Sequence, residues 1–342
     1  MQDMPTVFTT IDDIHYALNN LPAPDELRIS DARARQATLT KPPGSLGKLE
    51  DIACFLAGWQ TAGPRADNIE ILIFAGNHGV VRHGISSFPA EVTQQMVANF
   101  EQGGGAINVL ANAYGLSLTI IALDLDRPTG DITEAEAMSQ GDFLDALNAG
   151  ANAVDPKADL IVLGDMGIGN TTAAAAIAAA IFGGKGADWA GSGTGLDKAG
   201  VGHKGAVVDK AIKHHAAKLG NPLAIMQSLG GRELAAIAGA TLRSRQFGIP
   251  VLLDGYIVTA AVAPLMRLSP DALDHCIAGH VSQEQGHKHL LAALGLQPLL
   301  DLDMRLGEGT GAAVAAMVVR GAVAIHRNMA TFAEAQVSNV SF

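Results

Sequence analysis

A chain of 342 residues can bury a substantial core, in one large domain or in a large and a small one. The formal charge of −11, with no Lys/Arg-rich run and no alternation of basic and aromatic residues, argues against a nucleic-acid partner, so any phosphate has to be bound locally. Hydrophobic residues reach 48% while aromatics stay at 4%, a balance supplied by Ala, Gly, Leu, Ile and Val and expected of helices packed closely on a parallel sheet.

The chain begins MQDMPTVFTTIDDIHY, which carries acids and no apolar h-region, so no secretory signal is expected and the cytoplasm is the default location. Residues 9–36 have a Thr/Asp start and helical Leu/Ile spacing, and a Pro-Pro-Gly break in LTKPPGSLGKLEDIACFLAGW precedes another amphipathic helix. At residue 69 the pattern changes: IEILIFAGNHG is a short apolar run ending in a Gly-Asn-His-Gly loop, as expected of a buried parallel strand. LSLTIIALDLD at 116–126 is a second such run, and ADLIVLGDMGIGNTT at 158–172 is a third, leading into an Ala-rich stretch. That stretch, 171–182, is about 12 residues long, short of the roughly 20 that cross a bilayer, and reads as a buried helix rather than a membrane span. PVLLDGYIVTAAV at 250–262 and LQPLLDLDMRLGEGTGAAVAAMVV at 296–319 repeat the order of strand, acid, glycine and helix. Five such repeats predict an α/β fold with a doubly wound, mainly parallel, Rossmann-like sheet. The expected division is a catalytic α/β domain over 65–310, with 1–64 and 311–342 forming a small helical subdomain. Cys54 and Cys276 sit in apolar contexts without CxxC spacing, which gives no disulfide or metal framework and fits a reducing compartment.

In such sheets ligands collect at the carboxyl ends of the strands, where the chemically suggestive loops fall. GDMGIGNTT at 164–172 lies between a strand and a helix start, so its N–H groups and the helix dipole suit a phosphate or carboxylate. It matches neither the Walker motif nor the dinucleotide fingerprint, and glycines serving tight strand–helix packing are the competing explanation. A second glycine-rich loop, at 191–208, contains Lys204, a point charge suited to phosphate or simply to solvent. His280, His287 and His289, with His78 and His83 elsewhere, have no spacing that brings metal ligands to one face, so capping and surface roles are expected. Glu308 lies between two glycines after an apolar run and just before a helix, as a site carboxylate or a helix cap; Asp254 has the same position on a neighbouring strand, where capping is favoured.

Taken in order, LTKPPGSLGKLE, FAGNHGV, FPAEVTQQMVANF, GGGAIN, LGDMGIGNTT, GTGLD, LGGRELAAIAGA, LDGY, HVSQEQGH and LGEGTGAA resemble the nicotinate-nucleotide:dimethylbenzimidazole phosphoribosyltransferase (CobT) family, from about residue 38 to 326. The resemblance implies transfer of the phosphoribosyl group of nicotinate mononucleotide to dimethylbenzimidazole or a related base, with no cofactor and no metal, by a homodimer. It implies Glu308 as general base, Lys204 and the loop around Gly167, with Gly169 and Asn170, as the phosphoribosyl site, and Phe88, Met96, Met166 and Leu306 as the walls of the base pocket. Asp165 stands where the family commonly has Glu, a second catalytic carboxylate, and is shorter by one methylene. The competing functions are a transferase with another acceptor, a nucleotide-binding regulator without turnover, and a histidine-based metal hydrolase.

Overall fold

The structure, a computed structural model, describes residues 8–338. The start of the stretch read for a secretory signal, residues 1–7, and the end of the expected helical subdomain, residues 339–342, lie outside the described residues. In chain order the main elements are α1 (Ile11–Asn19), α2 (Glu26–Thr38), α3 (Lys48–Trp59), β1 (Ile69–Ala75), α4 (Glu91–Glu101), α5 (Ala106–Tyr114), β2 (Ser117–Ala122), α6 (Gln140–Ala153), β3 (Leu160–Met166), α7 (Asn170–Phe182) and α8 (Gly186–Trp189). There follow α9 (Lys198–His214), α10 (Pro222–Leu229), α11 (Arg232–Phe247), β4 (Val251–Leu253), α12 (Tyr256–Leu268), β5 (Cys276–Ala278), α13 (His287–Leu294), α14 (Thr310–Asn328) and α15 (Phe332–Ala335).

The described strands form a five-stranded parallel sheet in the order β2-β1-β3-β4-β5, a doubly wound arrangement whose direction reverses between β1 and β3. Both faces of β1 and β3 are covered by helices, which is why their sequences are continuous apolar runs instead of alternating ones. Their register pairs Ala75 with Met166, so the turns that follow the two strands emerge side by side at the reversal point. On one face Leu163 packs with the buried alanines of α7 and with α11 and α12; on the other Ile71, Ile73 and Val162 pack with Ala312, Ala316 and Val319 of α14.

Gly164, inside β3, decides how close α14 can come. A methyl group there would fall 2.5 Å from the Gly309 nitrogen, so glycine is what lets the start of α14 rest on the strand that carries Asp165. The far half of α14 is gripped by the N-terminal helices: Ile52 and Leu56 of α3 join its core, and Arg35 of α2 donates to the carbonyls of His326 at 2.7 Å and Arg327 at 3.0 Å.

One strand is not where the sequence pattern puts it. The final strand, β5, is Cys276–Ala278, and the apolar run at 296–300 makes only an isolated bridge from Leu300 to His280. Leu299 and Leu300 donate to Ala278 and Gly279, extending the edge of β5 beyond its end. A three-residue strand is too short to carry a period, whereas the leucines that cover it, half-buried against Ile277 and Val281, imitate one. Among the described residues no helix is long and apolar enough to cross a membrane.

Candidate active site

A cavity of about 430 Å³ opens at the carboxyl ends of β3, β4 and β5, beside the point where the strand order reverses. It lies within the volume range of small-molecule sites. Asp165, the penultimate residue of β3, and Glu308, just ahead of α14, both line it. Glu308 is held in the left-handed region at φ 59°, between Gly307 at 81° and Gly309 at 73°. Three such residues in succession turn the chain sharply off the preceding loop and into the helix, and only the middle one carries a side chain. A non-glycine residue in this conformation costs on the order of 1–3 kcal/mol, which marks Glu308 as a residue whose carboxylate has a use.

The electrostatics of the two acids differ. Asp165 is 5% exposed; its Oδ2 accepts from Asn170 Nδ2 at 2.8 Å, and its Oδ1 has no hydrogen-bond partner among the described residues. Burial, reinforced by the charges of Asp254, Glu233 and Glu308 and opposed only in part by the Asn170 amide, pushes its carboxyl up to about 8. At neutral pH Asp165 is therefore mostly protonated and able to donate. Burial also raises Glu308, helped by the charge of Asp254 and opposed by the Ile107 N–H in the first turn of α5. A carboxylate raised in this way is a better proton acceptor than an exposed one.

The anion-binding side is built from two glycine-rich loops. Gly167, Gly169 and Asn170 line the cavity, and Gly169, at φ 99°, caps α7, bringing the positive end of the helix dipole to the cavity edge. Opposite lies the loop holding Gly193 and Thr194, fastened from outside by Thr194 Oγ1, which meets Ser86 Oγ at 3.0 Å and accepts the Ser87 N–H at 3.1 Å. Lys204 is brought to this region but not into the cavity wall. It is 1% exposed, and its Nζ donates to Thr171 Oγ1 and to the Gly191 carbonyl, both at 3.1 Å, so it ties the two loops together from behind. Its Nζ thus stands between the two glycine-rich loops. Burial lowers the Lys204 pKa, and the nearby Glu284 carboxylate opposes that shift.

Phe88, Met96, Met166 and Leu306 all line the cavity, as expected of a pocket for a flat apolar base. Phe88 and Leu306 are 50% and 59% exposed, leaving apolar surface at the mouth for an incoming ring.

Sequence reasoning misses Glu284, Arg305 and His280 as cavity residues. Glu284 accepts the Gly193 N–H at 2.9 Å, and burial raises its carboxyl against the pull of Lys204 and that N–H. It stands in HVSQEQGH, where attention falls on the histidines; an acid in an otherwise uncharged, buried stretch is the available signal. Arg305 NH1 reaches the Gly193 carbonyl at 3.4 Å and places a guanidinium at the cavity edge. The histidines scatter: His78 pairs with Glu233 at 2.5 Å, His83 with Asp131, His287 with Thr259, and His289 stacks on Trp189. Among the described residues no group of three or more His, Cys, Asp or Glu could hold a metal ion.

Comparison with known proteins gives the family. A phosphoribosyltransferase family model matches residues 21–337. The chain is 55% identical to a nicotinate-nucleotide–dimethylbenzimidazole phosphoribosyltransferase of Mesorhizobium japonicum over 332 residues, covering 97% of this chain and 99% of the relative. It is 56% identical to the protein of that name from Novosphingobium aromaticivorans over 333 residues, covering 97% of this chain and 98% of the relative. The crystal structure of CobT from Thermus thermophilus superposes with a TM-score of 0.85 at 40% identity, covering 92% of this chain and 100% of the other. With such identity sustained over nearly its whole length and on the same fold, the chain belongs to the nicotinate-nucleotide–dimethylbenzimidazole phosphoribosyltransferase family.

Proposed function

We propose that this protein transfers the 5-phosphoribosyl group of nicotinate mononucleotide to 5,6-dimethylbenzimidazole or a related base, releasing nicotinate and forming α-ribazole 5′-phosphate for the lower ligand of cobalamin. The observation that carries the reading is the placement of two acids, Glu308 and the buried Asp165, in one cavity that also has an apolar wall and the N-terminus of a buried helix.

The ring nitrogen of nicotinate mononucleotide is already quaternary, so nicotinate leaves as C1′–N breaks without needing a proton. The incoming benzimidazole attacks C1′ through one nitrogen while the other loses its proton to Glu308. Attack on the face opposite nicotinate turns a β linkage into an α one. The base rests between Phe88, Met96, Met166 and Leu306, and the phosphate lies against the first turn of α7 with Arg305 nearby, while Lys204 holds Thr171 in place from behind. Asp165 donates a hydrogen bond toward the sugar instead of supplying a second negative charge. A homodimer in the cytoplasm, acting on small molecules and not on nucleic acid, completes the reading. We also propose that α2, α3 and the far half of α14 act as the small helical subdomain.

Incubation with nicotinate mononucleotide and a panel of bases, with products identified by mass, tests this. The expected products are free nicotinate and an α-riboside 5′-phosphate of a benzimidazole, formed equally in excess EDTA. No transfer to any benzimidazole, or a loss in EDTA restored by zinc or magnesium, contradicts it.

A further inference from the structure

Glu308 sits in a backbone conformation that non-glycine residues avoid, so the start of α14 has to be fixed firmly for its carboxylate to stay over the cavity. Asp254, one residue beyond β4, supplies that anchor. Its Oδ1 accepts the Ala312 N–H at 2.8 Å, one of the first-turn N–H groups that α14 cannot satisfy itself. The carboxyl is fully buried, and Oδ2 has no hydrogen-bond partner among the described residues. An ordinary capping acid sits at the surface, where water completes its hydrogen bonds; this one does not.

Beside it stands His280, 2% exposed, with Nε2 at 3.4 Å from Asp254 Oδ1. Its ring lies against Gly311, where a methyl group would come within 2.2–2.4 Å of three ring atoms. The imidazole thus seats the same first turn that Asp254 caps, four residues or fewer from Glu308. Burial lowers the proton affinity of His280, but the Asp254 carboxylate beside it and the Val281 backbone outweigh that, and the net shift is upward. His280 lines the cavity, whereas Asp254 sits behind it.

We propose that Asp254 and His280 form a positioning pair that fixes the N-terminus of α14, and with it the orientation of Glu308 and the electrostatic field around its carboxylate. The inference rests on the reading of Glu308 as the base. The charged and titratable groups facing Glu308 are Asp165 from β3, Asp254 from the end of β4, His280 beyond β5, and Arg305 on the loop leading to it, together with the Ile107 N–H of α5. Of these, Asp254 raises Glu308 by its charge, and a protonated His280 offsets that charge. A pair that merely held the helix would leave the pH dependence of turnover alone; a pair that also sets the field would not.

The test measures kcat, KM and the pH profile of the full chain and its variants. Asp254→Ala lowers kcat by on the order of tenfold to a hundredfold, as expected when a reacting group is displaced by about an ångström. The KM for nicotinate mononucleotide stays within about twofold, because ground-state binding is untouched. Asp254→Asn, whose amide oxygen can still accept from Ala312, recovers most of the rate. His280→Asn leaves the Asp254 charge uncompensated and moves the acid limb of kcat up by about half a pH unit. An unchanged kcat per folded molecule in Asp254→Ala overturns the proposal, as does an unmoved acid limb in His280→Asn. The second variant decides the matter if the first does not fold. Glu308→Gln separates the two readings: near wild-type turnover there removes the base assignment, whereas low turnover there with unaffected Asp254→Ala and His280→Asn removes only the positioning pair.

Discussion

Two buried carboxyls border the same cavity and have been given opposite surroundings. Glu284 accepts a backbone N–H from Gly193 and feels the ammonium of Lys204, which offset part of the rise that burial imposes on it, and it serves to hold a loop. Asp165 has one amide donor, Asn170, and three more carboxylates for neighbours, Asp254, Glu233 and Glu308, so at neutral pH it keeps its proton. The difference separates scaffold from chemistry. Where the substrate phosphate is expected, the protein sets a cation and a backbone N–H against its buried acid; where a proton has to move, it gathers acids around Asp165 with a single amide donor to oppose them.

Removing the cation from the balanced side breaks the comparison most severely. Lys204→Ala removes both hydrogen bonds of a buried ammonium, to Thr171 Oγ1 and the Gly191 carbonyl, each worth about 1.5–3 kcal/mol, so a fall in thermal midpoint is expected. Freed from their tether, the loops should bind nicotinate mononucleotide less well, and its KM should rise far more than that of the base. Equal changes in both KM values would place the lysine outside the nucleotide side.

A smaller effect is expected at the apolar wall beside Glu308. Phe88→Ser enlarges the mouth of the pocket and should reorder bulky benzimidazoles against smaller acceptors by about 1–3 kcal/mol in kcat/KM. An unchanged ranking in a competition assay would mean that the ring does not meet the acceptor.

The smallest effect sharpens the comparison. Asn at position 165 keeps a neutral donor, so Asp165→Asn should change turnover at neutral pH by less than about 1 kcal/mol, the worth of one neutral hydrogen bond. Its signature lies in the pH dependence of stability and rate. The folded-state pKa of Asp165, about 8, is above the ordinary 3.8, so the folded protein holds this proton more tightly than the unfolded chain. The resulting stability is intact below the ordinary value and is lost as pH rises through about 8. Thermal melts should therefore show the Asn variant gaining on the wild type as pH rises from the ordinary 3.8 to about 8, with no further gain above that, and activity profiles should show it losing the alkaline limb. Parallel melting curves across that range would show that Asp165 is ionised in the folded protein.

What the sequence reveals and what it hides follows from the range of the interactions involved. β1 and β3 are readable because burial on both faces writes an unbroken apolar run, and the loops after them because glycine and acid punctuate its end. Buried α11 is less legible: Arg232, Glu233, Arg243 and Arg245 are all buried in it, so it has no polar face to mark a period. At the site, Glu308 stands out because GEG is a local backbone device. Lys204 is legible as a neighbour of the right loops but not as the donor that joins them, since its bonds reach back 33 residues to Thr171 and 13 to Gly191. Glu284 acts on a loop 91 residues away, and Asp254 caps a helix 58 residues away, separations that a local reading cannot bridge.

The central claim is that Glu308 takes the proton of the incoming base, and Glu308→Gln tests it most directly. Gln keeps the size, the left-handed backbone and an oxygen that accepts hydrogen bonds, so the fold and the affinity for nicotinate mononucleotide should persist. Turnover should fall by about 10² to 10⁴, the usual worth of a general base. The wild-type rate should fall in acid on a limb displaced above the ordinary glutamate range, since burial raises this carboxyl, and that limb should vanish in the variant. If the Gln variant turns over at near the wild-type rate, Glu308 only shapes the start of α14 and the proton leaves by another route.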